Sequence, residues 1–215
     1  MTWRLLNSGP CAPAFNMALF LSANAQDVAH AVALGHPAGQ VMETASQDDG
    51  GDDLRIAFDF DGVLADDSSE RVMQVDGLEA FHENEVRRAA EPIPNGLMLP
   101  LLAGINRIQR KEEAKRAVDP GYRIRVHVAL VTARNAPSHE RAILSLKQWG
   151  VTVNDAFFLG GVEKSAVLGI LKPHIFFDDQ VGHIATAAKV VPSVHVPFGV
   201  TNTRDAPTEM DDADP

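Results

Sequence analysis

The sequence predicts an α/β fold: a three-layer sandwich in which helices cover both faces of a central parallel sheet, with a small helical cap inserted after the first strand of that sheet. Three observations predict it. From about residue 54 onward, short apolar runs alternate with amphipathic helical patterns, as in a parallel sheet covered by helices. Acids, a Thr and a Lys fall directly after these runs or at the helix starts that follow them. Residues 66–93, charged and rich in helix formers, separate the first strand from the next core helix.

Taken in order, the chain first offers a βα unit, Ala18 to Val28 continuing to Leu34. It echoes Ile175–Ile184, but carries Ser22 and Ala23 where the later copy has Asp178 and Asp179, so it is expected to be non-catalytic. Residues 1–53 form an N-terminal extension that ends in the acidic linker Ser46–Asp53. The strands expected next are Leu54–Phe58, Ile124–Val131, Ala156–Leu159, His174–Phe177 and Ser193–Val196, each short, apolar and followed by a polar turn. The helices are Ser68–Gln74, Gly77–Ala90, Leu97–Lys115, Ser138–Trp149, Lys164–Leu171 and Val181–Val190, with apolar residues at three- and four-residue spacing. Asp67-x-x-Glu70 reads as a capping box opening the first of these. An insertion at 66–93 would overhang the C-terminal edge of the sheet, where open α/β folds bind ligands. The main domain is expected over 54–202. The tail 203–215, acidic and broken by Pro, reads as disordered.

Composition narrows the function. The chain of 215 residues is 45% hydrophobic and 22% charged, enough to bury one full core. A net charge of −10 argues against nucleic acid or an anionic membrane as partner, because affinity for phosphate arrays is built from clustered Lys and Arg. Cys11 is the single cysteine, which excludes an internal disulfide and fits a reducing compartment. No apolar run nears the roughly 20 residues of a membrane helix, and the N-terminus lacks a signal-peptide pattern. A cytoplasmic protein is expected. The sequence leaves the subunit count open, a homo-oligomer included.

Four pieces carry the chemistry: Asp59-x-Asp61, Thr132, Lys164 and Asp178-Asp179. Parallel strands end on one sheet edge, so these groups can converge there. Asp59 and Asp61 leave the end of a buried strand and precede Gly62, which lets the chain turn sharply while exposing both acids. A carboxylate can attack phosphorus if the phosphoryl charge is neutralised, and a second acid can then protonate the leaving alkoxide and activate water. Asp178 and Asp179, with Asp59, supply the hard oxygen ligands Mg²⁺ prefers. Thr132 and the backbone N–H groups after it can hold a phosphate oxygen, and Lys164 can offset the charge on Asp59 and on the transferring group. Each piece alone has an ordinary explanation: a solvated turn acid, a strand-end cap, a surface lysine, a helix N-cap. Their joint order and strand-end placement are far more specific.

That order resembles the haloacid dehalogenase (HAD) superfamily, whose motifs run Asp-x-Asp, Thr or Ser, Lys, and an acidic pair. More narrowly, Asp67–Arg71 (DSSER), Leu130–Arg134 (LVTAR), Leu146–Gly150 (LKQWG), Phe158–Gly161 (FLGG), Pro173–Gln180 (PHIFFDDQ) and His195–Gly199 (HVPFG) are similar to the cytosolic 5'-nucleotidase I family. The resemblance implies a HAD-like Rossmannoid fold and Mg²⁺-dependent hydrolysis of nucleoside 5'-monophosphates. It makes Asp59 nucleophile and metal ligand, Asp61 the acid/base with its backbone carbonyl on the metal, and Asp178 a metal ligand. Asp179 joins the metal shell through water, and Thr132 and Lys164 contact phosphate. Two departures stand out. Phe60 and Gly62 replace the Gly and Ala typical of the family's first motif, and the stretch from Trp3 to Leu19 resembles the start of lipoate-protein ligases.

The eight histidines show no zinc-site spacing; His174 and His195 read as strand-end residues, and His82 and His139 as surface or pocket residues. A nucleobase needs an apolar wall and a few polar contacts, which only the cap and the loop after Thr132 are placed to give. Phe81, Asn84, Arg134 and Asn135 are the candidates, with packing of the cap the simpler role for Phe81. The rival reading within the same chemistry is a HAD-type phosphatase acting on sugar phosphates or other small phosphomonoesters. A signalling receiver domain would place its acidic pair first and its phospho-acceptor later, the reverse of this chain. Dehalogenation would not need Asp61.

Overall fold

The computed structural model describes residues 17–44 and 50–202. The readings made for Trp3 to Asn16, for Ser46–Asp49 of the linker and for the tail from 203 lie outside the described residues.

The described residues build one seven-stranded sheet from β1 (Phe20–Ser22), β2 (Ala38–Val41), β3 (Leu54–Phe58), β4 (Val126–Thr132), β5 (Asp155–Phe158), β6 (Ile175–Asp178) and β7 (Ser193–His195), in the order β1-β2-β7-β6-β3-β4-β5. The five later strands run parallel, with β3 between β4 and β6. This α/β architecture is the one expected, a mostly parallel HAD-like Rossmann-type sheet.

Alternation along the strands makes the three layers. Ile56, Phe58, Val128, Leu130 and Phe177 point to one face, against Leu99, Leu102 and Ile105 of α3 (Leu99–Val118) and Ala142 and Leu146 of α4 (His139–Trp149). Ala57, Ala129, Val131 and Phe176 point to the other, against Leu168 of α5 (Lys164–Leu171) and Ile184 and Ala187 of α6 (Val181–Ala187). A strand buried on both faces loses the polar alternation of a half-exposed one, so these runs read as continuously apolar.

The N-terminal βα unit also forms, with α1 (Ala25–Ala33) following β1. Asn24 caps α1 by accepting from the Gln26 amide at 2.9 Å, and Ser22 accepts from the Asn24 amide at 3.0 Å. Those polar groups thus serve the turn. What the sequence did not reveal is β2, which pairs parallel to β1 and antiparallel to β7. Its residues are Ala-Gly-Gln-Val, a poor strand composition, and its partner lies some 150 positions away. A side chain at Gly39 would run into Val194 of β7, so the small residue is what lets the two strands close up.

The insertion after β3 is helical as expected. It forms α2 (Ser68–Arg87), broken at Gly77, whose φ of +86° redirects the chain. The ends of the insertion are tied together by a bridge between Ala65 and Asn95, with Asp66 N donating to Pro94 O at 2.9 Å and Gly96 N to Leu64 O at 2.7 Å. The expected capping box is absent. Asp67 Oδ2 instead accepts from the Val200 amide at 2.9 Å and from Arg71, while Asp66 Oδ1 takes the Ser68 amide and hydroxyl. Among the described residues no helix is long and apolar enough to cross a membrane.

Candidate active site

The parallel topology brings the ends of β3, β4 and β6 and the start of α5 to one edge. Asp59 follows β3, Thr132 closes β4, Lys164 opens α5 and Asp178 closes β6, and all four are buried. Lys164 links the two acids: its Nζ lies 2.8 Å from Asp59 Oδ2 and 2.7 Å from Asp178 Oδ2. Asp178 Oδ1 accepts from the Gln180 amide at 2.8 Å, which turns the chain into α6. Asp179 Oδ2 accepts from the Thr201 hydroxyl at 2.9 Å, and its backbone carbonyl accepts from the Asn202 amide group at 3.0 Å.

The electrostatics follow from burial. Asp59 is pushed up to about 7, first by loss of water and then by Asp178 and Asp61, with Lys164 opposing. Asp179 is pushed up to about 9 by burial and by the neighbouring Asp59 and Asp178. Burial acts on Asp178 in the same direction, but Lys164 and His183 outweigh it and hold that acid below its ordinary range. Lys164 is raised despite its burial, because two carboxylates face it.

Two oxygens show that the cluster suits a cation. Asp59 Oδ1 and Asp179 Oδ1 are buried with no hydrogen-bond partner among the described residues, an arrangement costly unless a positive ligand approaches. Asp59, Asp178 and His183 each offer a ligand atom within 4.8 Å of the others, so the cluster can hold a divalent metal. The donors are mostly carboxylate oxygens, which fits a hard ion. His183 was not foreseen; its signal was the position just after Asp178-Asp179, on the first turn of α6.

Asp61 sits apart from the lysine. Its two oxygens accept from Arg134 Nε and Nη2, both at 2.7 Å, a bidentate pair. Gly62, with φ of +70°, makes the turn that follows, and a Cβ there would collide with the Asp179 carboxylate. Thr132 Oγ1 accepts from the Arg134 amide at 3.3 Å, starting the loop after β4.

The four nucleotide-contact candidates divide. Arg134 is buried with its guanidinium carbon over the rings of Phe60 and Phe81, 5.1 and 5.3 Å from their centroids. Phe81 is buried in that contact, and buried Asn84 donates to Glu85 at 3.2 Å and accepts from Arg87. Asn135 alone is exposed, beside Gly160 of the loop after β5. Glu85 was also not foreseen. It is held below the ordinary carboxylate range because Arg134 and Arg141 outweigh the effect of its burial.

Fold and site together define a HAD-like α/β protein with an acid and lysine cluster at the C-terminal edge of its sheet. The chain belongs to the 5'-nucleotidase family, whose model matches residues 9–203. Human cytosolic 5'-nucleotidase 1B is 34% identical to it over 182 residues, 80% of this chain and 28% of that protein. The chain therefore spans less than a third of the length of that relative. No solved structure matches. These findings bear out the family expected from the sequence.

Proposed function

We propose that the chain is a Mg²⁺-dependent 5'-nucleotidase that hydrolyses nucleoside 5'-monophosphates to nucleoside and phosphate through an aspartyl-phosphate on Asp59. The observation that carries this reading is the contact of Lys164 with both Asp59 and Asp178 at one sheet edge, beside Asp59 and Asp179 oxygens that have no hydrogen-bond partner among the described residues. Family membership supports nucleoside 5'-monophosphates as the substrate class.

Asp59, Asp178 and Asp179, with the backbone carbonyl of Asp61, would hold Mg²⁺. When bound, the ion neutralises phosphate charge and keeps the carboxylates ionised. Asp59 supplies the attacking oxygen, forming a bond to phosphorus as the bond to the ribose 5' oxygen breaks. Asp61 donates the proton that the leaving alkoxide needs. Water then attacks the acyl-phosphate, Asp61 takes its proton, and the Asp59 carboxylate is regenerated with release of phosphate. Lys164 keeps Asp59 oriented and balances charge on the phosphoryl oxygens, while Thr132 at the end of β4 would receive one of them.

A panel of nucleoside 5'-monophosphates and sugar phosphates, assayed for phosphate release with Mg²⁺, tests the assignment. The nucleotides are expected to give the higher kcat/KM. A strong preference for sugar phosphates would move the assignment to the rival phosphatase.

A further inference from the structure

The hydrolytic scheme gives no role to Glu85, a buried acid beside the site. Glu85 lies on the second half of α2, in the cap, with its side chain closed off from solvent. Its two oxygens have different partners. Oε1 accepts from Arg141 Nη1 at 2.7 Å, Ser69 Oγ at 2.9 Å and Asn84 Nδ2 at 3.2 Å, contacts that fasten the cap to itself and to α4. Oε2 is given to Arg134 Nη1.

Arg134 is gripped on every side. Nη1 also donates to the Ser138 carbonyl at 3.0 Å, the guanidinium packs on the rings of Phe60 and Phe81, and Nε and Nη2 reach Asp61. A guanidinium is a rigid planar fork, so fixing Nη1 fixes the plane and direction of the Nε and Nη2 edge. Arg134 is the one residue among the described ones that donates to the Asp61 carboxylate, and Asp61 itself stands at a turn made by Gly62.

We propose that Glu85 is a positioning residue that, through Arg134, sets the aim of the Asp61 carboxylate, so that seating the cap and orienting the acid/base are one event. The proposal rests on the functional reading above, in which Asp61 protonates the leaving alkoxide. Glu85 touches no reacting atom. Its contribution is confined to the step in which Asp61 must face the leaving oxygen.

The leaving group separates this role from simple structural support. A nucleoside alkoxide must be protonated as it departs, whereas p-nitrophenolate is stable without a proton. In the full chain with Mg²⁺, Glu85→Gln is expected to slow the first-turnover release of nucleoside by about tenfold to a hundredfold, the range of general acid catalysis. The first-turnover release of p-nitrophenolate from p-nitrophenyl phosphate is expected to stay close to wild type. Arg141→Gln, which removes a partner of Oε1 but leaves Oε2 on Arg134, is expected to keep the wild-type ratio of the two rates.

Should Glu85→Gln unfold, the same ratio is read in Glu85→Gln/Arg141→Gln against Arg141→Gln, since the double variant restores the balance of buried charge. Equal loss on both substrates, or no loss on either, overturns the proposal. Failure of the wild-type chain to hydrolyse any phosphomonoester would instead sink the functional reading, and is a separate result.

Discussion

The ammonium of Lys164 lies 2.8 Å from the carboxylate of Asp59, with both side chains withdrawn from water. A buried ion pair of this kind is hard to lose from one side only. Lys164→Met would leave Asp59 and Asp178 facing each other without the cation that balances them. The expected result is a loss of at least about a hundredfold in kcat. Stability should fall by about 3–5 kcal/mol, the usual cost of an uncompensated buried charge. Steady-state kinetics and urea unfolding measure the two effects.

Stability should depend on pH in an unusual direction when no divalent cation is present. Asp59 and Asp179 titrate near 7 and 9 in the folded chain, above the ordinary value of 3.8. Between about pH 4 and 9 the native state therefore binds more protons than the unfolded one, and its stability falls as pH rises through that window. A cation that binds the ionised carboxylates acts against this, so the gain in Tm from Mg²⁺ should increase with pH. Melting curves in chelator and in excess Mg²⁺ across the window test it; a gain that shrinks with pH would contradict the assignment of the site.

Gly62 is required on two grounds, its positive φ and the Asp179 carboxylate that fills the space of a Cβ. Gly62→Ala should displace Asp179 and strain the turn. The expected result is weaker activation by Mg²⁺, seen as a shift of the half-activating concentration upward by about tenfold or more. An unchanged metal dependence would show that Asp179 is not coupled to the cation.

Asn135 and Phe81 should respond differently. Asn135 is exposed on the loop after β4, so Asn135→Ala is expected to raise KM for a nucleotide with little change in stability. Phe81 is packed on Arg134, and Phe81→Ala should cost about 3–5 kcal/mol through the cavity it leaves. Comparing KM with the unfolding midpoint in each variant distinguishes a contact to ligand from a contact within the fold.

The parts of this molecule that were legible in the sequence are those with a local cause. The strands β3, β4 and β6 are apolar because helices cover both faces, and Asp59, Thr132 and Asp178 stand out as polar residues where those runs stop. The break at Gly77 is likewise a local backbone effect. What was not legible depends on distant partners. β2 is a strand because β7 lies beside it, and Asp67 leaves its capping role because Val200 presents an amide to it. The pairing of Glu85 with Arg134 joins residues 49 positions apart, and nothing in the residues around Glu85 distinguishes it from the other acids of α2.

The central claim is that Asp59 is the nucleophile of a nucleotide-hydrolysing site, and Asp59→Asn tests it most directly, because the amide keeps the shape of the side chain and removes its nucleophilic charge. Phosphate release from a nucleoside 5'-monophosphate in the presence of Mg²⁺ should be readily measured for the wild-type chain and fall by several orders of magnitude in the variant. Equal release by the two proteins would contradict the account.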